Sequence, residues 1–274
     1  MTIEELLIYG KQHIHKDHAK ILLAELIGKN PLELLNHLEE TVTKEQEEIY
    51  KKEVLDLKEG KPLQYILGNV NFYGLSFSID ERVLIPRFET EELVENTIKY
   101  INKYFNYPID LIDLGCGSGV IGLTLEKKVN TNSVDLVDIS KGALEVTKIN
   151  RDKLSSKASI IESDFFTSIT KQYDVIISNP PYIKTNEEIQ TIVKNNEPHL
   201  ALYAGSDGLD CYKKILERIN NHCKEKCLIA FEIGSNQKDD ILNLINKYLP
   251  NTKVIVKKDL SERDRMIFIF KNLE

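Results

Sequence analysis

From Ile109 onward, apolar segments alternate with helix-like segments, and this alternation constrains the fold more than any other feature of the sequence. Such alternation is typical of a doubly wound α/β sheet that is mainly parallel and covered by helices. The last two apolar segments are joined by a connection too short for a crossover helix, so we expect them to pair antiparallel. The sequence therefore predicts seven strands, at residues 109–114, 133–138, 158–162, 173–178, 226–233, 252–257 and 265–271.

The first seventy or so residues have the spacing of several short helices, which predicts a small helical bundle. Thr43-Lys44-Glu45-Gln46 resembles a capping box, and Asn30-Pro31 predicts another helix start. A segment that alternates around Gly74 then predicts a β-hairpin. We therefore expect three parts: a helical domain at 1–67, a hairpin linker at 68–84 and a sheet domain at 85–274.

Composition narrows the class of protein. The 274 residues include 36 Lys and Arg against 43 Asp and Glu, a net charge of −7, which argues against a general nucleic-acid binder. No apolar run is long enough to span a bilayer, and the first residues lack the basic start of a secretory signal. The four cysteines lack C-x-x-C spacing and are expected to be free thiols. We expect a cytoplasmic monomer without membrane association or a metal site.

A glycine-rich loop, Asp113-Leu114-Gly115-Cys116-Gly117-Ser118-Gly119, ends the first predicted strand of the sheet and opens a helix. Its glycines permit a tight turn and let backbone N–H groups approach a ligand closely. A dinucleotide site would prefer G-x-G-x-x-G spacing, whereas this loop reads G-x-G-x-G. The pattern therefore favours a nucleoside ligand without a pyrophosphate. The residues expected to bind it are Gly115, Cys116, Gly117, Ser118 and Gly119.

Acidic residues end the next two predicted strands. Asp138 lies about 20 positions past the loop, where an acidic side chain can accept hydrogen bonds from ribose hydroxyls. The alternative for Asp138 is capping of the helix that begins near Ser140. Asp164 and Phe165 end the third strand and could hold an adenine by hydrogen bonding and stacking. The alternative for Phe165 is a place in the core.

The fourth predicted strand ends in the tetrapeptide Asn179-Pro180-Pro181-Tyr182. Asn179 offers a carbonyl acceptor, Pro180 presents a rigid backbone carbonyl, and Tyr182 adds a flat ring. Together they can grip a planar NH2 group, although a plain Pro-rich turn is the alternative. Four consecutive strand ends thus carry polar ligand groups, which is more specific than any one motif.

These motifs together resemble those of class I S-adenosylmethionine-dependent methyltransferases, which have a Rossmann-like fold. The glycine loop is similar to the first motif of that class, Asp138 to its ribose contact, and Asp164-Phe165 to its adenine contact. N-P-P-Y is the signature of members that modify nitrogen conjugated to a planar system. The whole chain closely resembles the peptide chain release factor glutamine N5-methyltransferase family, once called HemK. One departure is Phe88, where that family usually has Pro.

The resemblance implies an enzyme that transfers a methyl group from S-adenosyl-L-methionine to the glutamine of the Gly-Gly-Gln loop of class I release factors. The helical domain would recognise the protein substrate. S-adenosyl-L-homocysteine would be the product, and translation termination the process served. It implies catalytic roles for Asn179, Pro180 and Tyr182, substrate contacts from these and Pro181, and a cofactor contact from Asn179.

Three alternatives and several residue roles stay open from the sequence. A nucleic-acid N-methyltransferase acting on adenine N6 or guanine N2 could use the same tetrapeptide on a flipped base, although the acidic charge disfavours it. A cofactor-binding protein without catalysis and a nicotinamide-dependent dehydrogenase are more distant. Arg87 could order the pocket or the substrate loop, and the glutamates near it favour a helix start. Glu232 and Arg263 are each open between a structural ion pair and a place in the site.

Overall fold

The computed structural model describes residues 1–273 of the chain. Its α-helices are α1 (Ile3–His13), α2 (Lys16–Ile27), α3 (Lys44–Lys58), α4 (Leu63–Leu67), α5 (Phe88–Tyr104), α6 (Val120–Lys128), α7 (Lys141–Lys153), α8 (Thr191–Asn196), α9 (Asp210–His222) and α10 (Lys238–Tyr248). Its β-strands are β1 (Asn69–Phe72), β2 (Leu75–Ser78), β3 (Ile109–Leu114), β4 (Thr131–Asp138), β5 (Ser159–Glu162), β6 (Tyr173–Ser178), β7 (Cys223–Glu232), β8 (Lys253–Lys258) and β9 (Asp264–Lys271).

One compact unit is helical and comprises Met1–Asn69 together with Gln190–Asn196, which contains α8. Its apolar core is built from the inward faces of α1, α2 and α3, where Leu6, Leu23 and Tyr50 are fully buried. The Tyr50 hydroxyl donates to the Ala19 carbonyl at 3.2 Å, so this buried polar atom has a partner. A core of its own is what a separately packed helical bundle requires.

Two local predictions in the helical unit have different outcomes. The capping box at Thr43 is confirmed, because its hydroxyl accepts from the Gln46 N–H at 3.1 Å and the Gln46 side chain accepts from the Thr43 N–H at 3.0 Å. The helix start at Asn30-Pro31 is wrong. The Asn30 side chain instead accepts from the Leu32 N–H in a turn, and only a short 3₁₀ helix at Glu33–Asn36 follows. Asn favours such turns as strongly as it favours helix starts.

The second unit, Val70–Ile189 with Glu197–Glu274, contains the predicted α/β sheet. The strand order is β5-β4-β3-β6-β7-β9-β8, with parallel pairing from β5 through β7. Strand β9 pairs antiparallel with both β7 and β8, as the short connection predicted. The order reverses direction between β3 and β6, and open α/β sheets bind their ligands at the carboxyl ends of strands at such a point.

Burial explains why the central strands were readable from the sequence. Every residue of β3 and β6 is buried, so each reads as a short continuous apolar run with few interruptions. Alternate residues face two separate apolar layers: Leu111 packs into one, and Ile112 packs into the other. The doubly wound, seven-stranded sheet with an antiparallel last strand is therefore confirmed.

Strands β1 and β2 form a separate two-stranded sheet, which is the predicted hairpin. Tyr73 and Gly74 at its turn have φ values of 49° and 78°, and two positive φ values match the twist of a tight hairpin. Within residues 1–273, no helix combines the length and apolar character that crossing a bilayer requires. The domain limits drawn from the sequence stay predictions.

Candidate active site

A cavity of about 340 Å³ lies at the carboxyl ends of β3, β4 and β6, within the sheet-containing unit. It lies at the predicted ligand edge of the sheet, and its volume suits a small-molecule ligand. Gly119, Pro180 and Tyr182 are outside its lining. The predicted site residues that line it are Gly115, Cys116, Gly117, Ser118, Asp138, Asp164, Phe165, Asn179 and Pro181.

The glycine loop joins β3 to α6 through three left-handed residues, with φ values of 70° at Gly115, 56° at Gly117 and 82° at Gly119. A side chain would strain each of these positions, so the sequence must use glycine to make this turn. The N–H groups of Gly115 and Cys116 donate to the Val137 carbonyl at 2.8 and 2.9 Å. Most of the loop's N–H groups are thus occupied within the protein, and the loop offers a ligand mainly close approach.

Asp138 ends β4 and holds two backbone segments at the cavity. Its carboxylate accepts from the Gly117 N–H and the Ser140 N–H, each at 2.9 Å. The contact with Ser140 is the capping interaction that was the alternative for this residue. A carboxylate has about four acceptor positions, so capacity remains for hydroxyl groups. Burial raises the pKa of Asp138, and the two backbone hydrogen bonds oppose that rise.

Asp164 and Phe165 follow β5 and line the same cavity. Phe165 has a φ of 47°, a conformation that aromatic side chains rarely adopt, and its ring lies near the backbone of Gly115. One carboxylate oxygen of Asp164 accepts from Lys214 Nζ at 2.8 Å. The next residue, Phe166, is buried in the core, whereas Phe165 lines the cavity.

Asn179 is held by a chain of two hydrogen bonds. Its Nδ2 donates to Thr90 Oγ1 at 3.2 Å, and Thr90 Oγ1 donates to Glu232 Oε2 at 2.7 Å. Thr90 lies in the first turn of α5, and Glu232 ends β7. Glu232 is 1% exposed, and burial raises its pKa to about 7 against the opposing bonds from Thr90 and Asn179. No donor among residues 1–273 contacts the side-chain carbonyl of Asn179, which leaves that oxygen available.

The backbone at the end of the tetrapeptide is held by Gln237, which does not line the cavity. Gln237 Nε2 donates to the Tyr182 carbonyl at 2.9 Å and to the Gly208 carbonyl at 3.1 Å. A side chain at Gly208 would come within 2.4 Å of the Tyr182 carbonyl, so glycine is needed for this approach. Burial raises the pKa of the Tyr182 hydroxyl to about 12, which keeps it protonated.

Arg87 forms an ion pair beside the cavity. Its Nη2 lies 2.6 Å from Glu197 Oε1, and Arg87 also lines the cavity. Glu197 is 4% exposed and accepts from the Ile85 N–H as well, at 3.2 Å. Phe88 begins α5 and is 62% exposed. Arg263 contacts Asp259 through its backbone, because its N–H donates to the Asp259 carboxylate.

Sequence reasoning missed Thr90, Glu197 and Gln237 as site residues. Thr90 reads as an ordinary helix-start residue, and its partners lie 89 and 142 positions away along the chain. No local pattern encodes such distances. The one available signal was Glu232, an acidic residue at the end of an apolar strand, where an unpaired carboxylate would be costly.

The chemistry of the cavity fits a nucleoside. Asp138 and Asp164 supply carboxylates, Phe165 supplies a ring, and the glycine loop permits close packing. Asn179 lines the same cavity and its Nδ2 is bound to Thr90, so its amide oxygen could hold a planar NH2 group next to that ligand.

Comparison with known proteins identifies close relatives along almost the whole chain. The release factor glutamine methyltransferase of Bacillus cereus is 36% identical over 255 residues, which are 91% of this chain and 90% of that protein. The enzyme of the same name from Streptococcus pneumoniae is 39% identical over 85% of this chain and 83% of its own length. The Bacillus subtilis relative is 36% identical over 97% and 96% of the two chains.

Family profiles and solved structures agree with the fold. The PrmC N-terminal domain profile matches residues 11–68, and the Methyltransferase small domain profile matches residues 97–201. A methyltransferase from Pyrococcus furiosus superposes with a TM-score of 0.52 at 17% identity, covering 73% of this chain and 91% of that one. The T. thermophilus 16S rRNA N2 G1207 methyltransferase superposes with a TM-score of 0.55 at 13% identity, covering 74% and 50% of the two chains.

Proposed function

Because the chain belongs to the release factor glutamine methyltransferase family, we propose that it methylates the side-chain amide nitrogen of a glutamine in peptide chain release factors. S-adenosylmethionine is the methyl donor, and the glutamine proposed is that of the Gly-Gly-Gln loop. The observation that carries the proposal is the position of Asn179. Asn179 lines the same cavity as the glycine loop and Asp138, and its Nδ2 is bound to Thr90, which leaves its carbonyl oxygen for a substrate.

We propose that Asn179 and Pro180 supply the acceptors for the substrate. An amide nitrogen is a poor nucleophile because its lone pair is delocalised into the carbonyl group. The Asn179 side-chain carbonyl and the Pro180 backbone carbonyl would accept one N–H each and stabilise the positive charge that grows on the nitrogen. Holding the nitrogen in line with the methyl group contributes further, since positioning alone can lower barriers by roughly 7–11 kcal/mol. Pro181 and Tyr182 would pack against the amide plane.

The remaining lining residues would hold the cofactor, which supplies a methyl group on a cationic sulfonium when bound. We propose that the spare acceptor positions of Asp138 bind the ribose hydroxyls. Asp164 and Phe165 would bind the adenine by a hydrogen bond and by stacking. Residues 115–119 would border the ligand through their backbone. Tyr182 stays protonated and Asn179 has no basic group, so the proton leaves the nitrogen after transfer.

We propose that the helical unit recognises the body of the release factor. A cavity of about 340 Å³ can read only a short loop, so selection of a whole protein requires another surface. The helical unit has its own core and bears exposed apolar side chains such as Leu32 and Leu35. Since the proposed substrate acts in translation termination, we place the enzyme in the cytoplasm. Its monomeric state stays a prediction.

The proposal is tested by locating the transferred methyl group. The protein and isotope-labelled S-adenosylmethionine are incubated separately with a whole release factor, a Gly-Gly-Gln peptide, RNA and DNA. Mass spectrometry should find the label on the glutamine of the release factor, with less on the peptide because it lacks the body of the factor. Label on RNA or DNA alone would support the nucleic-acid alternative and contradict the proposal.

A further inference from the structure

The hydrogen bonds that join Asn179 to Thr90 and Thr90 to Glu232 have a fixed donor-to-acceptor direction. Thr90 has one hydroxyl proton, and it points to Glu232 Oε2 at 2.7 Å. An ionised carboxylate can only accept, so the hydroxyl must donate to it. Thr90 Oγ1 then offers its lone pair to Asn179, whose Nδ2 donates at 3.2 Å. The amide of Asn179 is therefore oriented with its nitrogen toward α5 and its carbonyl oxygen away from it.

This orientation matters for the proposed reaction. Two ends of an asparagine amide are similar in size, and a rotation of the amide would exchange acceptor for donor. A donor at that position would repel the N–H groups of a substrate amide. From this geometry we propose that Thr90 and Glu232 are positioning residues, which act through Asn179 to keep its carbonyl oxygen facing the substrate nitrogen. The inference rests on the proposed function for its catalytic consequence.

We call the chain of hydrogen bonds from Glu232 through Thr90 to Asn179 the relay. Burial makes the relay sensitive to the ionisation of Glu232. Glu232 is 1% exposed and Thr90 is 3% exposed, so water does not compete for either group. Burial raises the pKa of Glu232 to about 7, Arg265 on β9 lowers it, and Glu89 on α5 raises it. Tyr182 also faces the carboxyl, and its own pKa is raised in part by Glu232. Tyr212 on α9 contacts the backbone of the same residue, donating to its carbonyl at 2.7 Å.

Protonation of Glu232 would permit the opposite arrangement. A protonated carboxyl can donate to Thr90 Oγ1, and the Thr90 proton would then turn toward Asn179 and favour the rotated amide. The ionised form is therefore the productive one. It is present above the pKa of about 7 and is lost as the pH falls through that value. We expect kcat on the release factor to decrease on the acidic side of this pH.

Three substitutions test the relay through kinetics. Thr90→Val removes the hydroxyl and should lower kcat about tenfold to a hundredfold, the range for a hydrogen bond to a charged group. KM for the release factor and the dissociation constant of S-adenosylmethionine should change little. Thr90→Ser keeps the hydroxyl and should restore most of kcat. Glu232→Gln is neutral at every pH and can donate to Thr90 Oγ1 like the protonated carboxyl, so it should hold kcat near the low acidic level of wild type and lose the pH dependence.

Thr97→Val is the matched control. Thr97 is also buried on α5, and its hydroxyl donates to the Leu93 carbonyl at 2.7 Å instead of to the site. It should show any cost of losing a buried hydroxyl from this helix while kcat stays near wild type. If Thr90→Val retains wild-type kcat, or if both variants lose kcat equally, the relay is wrong. If Thr90→Val does not fold, the kcat of Thr90→Ser and the pH profile of Glu232→Gln still test the relay, and a Glu232→Gln variant that keeps the acidic decrease would contradict it.

A second measurement is independent of the substrate. The side-chain amide resonance of Asn179, identified by its absence in Asn179→Asp, should shift as Glu232 titrates, and Thr90→Val should abolish that shift. An amide resonance that shifts neither with the titration of Glu232 nor on Thr90→Val would overturn the relay even if catalysis is normal. A wild-type protein that fails to methylate glutamine but shows the coupled resonance would instead contradict the proposed function and leave the relay supported.

Discussion

Strand β3 carries one aspartate near each end, and the two lie in opposite electrostatic surroundings. Asp110, at the amino end, accepts from Lys224 Nζ at 2.6 Å, Ser133 Oγ at 2.6 Å and Lys171 Nζ at 3.0 Å. Burial alone would raise its pKa, but these partners and Asn132 lower it below the ordinary value. The carboxylate is therefore held ionised by cations that are shared between neighbouring strands.

Asp113, at the carboxyl end, has no cation beside it. One oxygen accepts from the Gly122 N–H at 2.9 Å, and the other is buried without a hydrogen-bond partner among the described residues. Burial and the nearby Asp138 together raise the pKa of Asp113 to about 7, against the opposing hydrogen bond from Gly122. Asp138 and Glu232, at the ends of β4 and β7, also have pKa values raised by burial.

The difference indicates that the two ends of the sheet have separate tasks. At the amino end, carboxylates and lysines satisfy one another and stabilise the pairing of strands. At the carboxyl end, Asp113, Asp138 and Glu232 are largely buried and form no ion pair among the described residues, which weakens the fold. Of these, Asp138 lines the cavity and keeps acceptor capacity for a ligand. Proteins commonly accept such local costs at functional sites. Substitutions at the amino end should therefore lower stability and leave ligand binding unchanged. At the carboxyl end, substitutions of residues that line the cavity should change ligand binding or catalysis, and removal of a buried unpaired carboxyl such as Asp113 should raise stability.

The largest expected effect on stability is at the amino end. Lys224→Met leaves Asp110 and Asp174 without their shared cation, since Lys224 Nζ also lies 2.7 Å from Asp174. Breaking this partly buried ion pair, whose Asp174 partner is buried, should lower the free energy of unfolding by about 2–3 kcal/mol. Urea unfolding measures it, and Lys226→Met, at an exposed position on the same strand, is the control. A weakened affinity for S-adenosylmethionine would contradict the separation of tasks.

The next largest effect is on cofactor affinity, and two aspartates on β4 test it, since one lies at the carboxyl end and the other is bound within the sheet. Asp138→Ala removes the proposed ribose acceptor and should weaken cofactor binding by about 1.5–3 kcal/mol in calorimetry. Asp135→Ala, three residues earlier, is its matched control. Asp135 accepts from the Tyr173 hydroxyl at 2.8 Å, so its loss should reduce stability and leave the affinity unchanged. Equal effects on affinity from both substitutions would break the comparison.

The smallest effect concerns Asp113. Its folded pKa of about 7 lies above the ordinary value of about 3.9. The folded state thus holds a proton that the unfolded state releases, and this group's contribution to stability falls as the pH rises from about 4 to 7. Asp113→Asn removes that dependence and should be more stable than wild type by about 1 kcal/mol at pH 8, but not at pH 5. Unfolding curves at both pH values measure it, and an equal change at each would exclude this origin.

How much the sequence could predict depended on the range of the interactions. The runs 109–114 and 173–178 coincide with β3 and β6, because buried parallel strands are mainly apolar and only single polar residues interrupt these two. The prediction for β7 began at residue 226, three positions late, because Cys223-Lys224-Glu225-Lys226 is too polar to read as a strand. Lys224 is polar there for a tertiary reason, its contact with Asp110 114 positions away.

The candidate site divides in the same way. Strand ends with glycine, aspartate and asparagine could be found from spacing, and they line one cavity. The support behind Asn179 could not be found, because Thr90 and Glu232 come from α5 and β7 and meet only in the folded chain. Gln237, which holds the Tyr182 carbonyl from 55 positions away, was missed for the same reason.

The central claim is that the carbonyl oxygen of Asn179 holds the substrate amide. Its most direct test is the rate of methyl transfer to a whole release factor by Asn179→Ala, with cofactor affinity measured by calorimetry on the same preparation. We expect kcat to fall by about a hundredfold or more, as for the loss of one group that stabilises developing charge, while affinity for S-adenosylmethionine stays close to wild type. A variant that binds cofactor and methylates glutamine at a near-normal rate would contradict the claim.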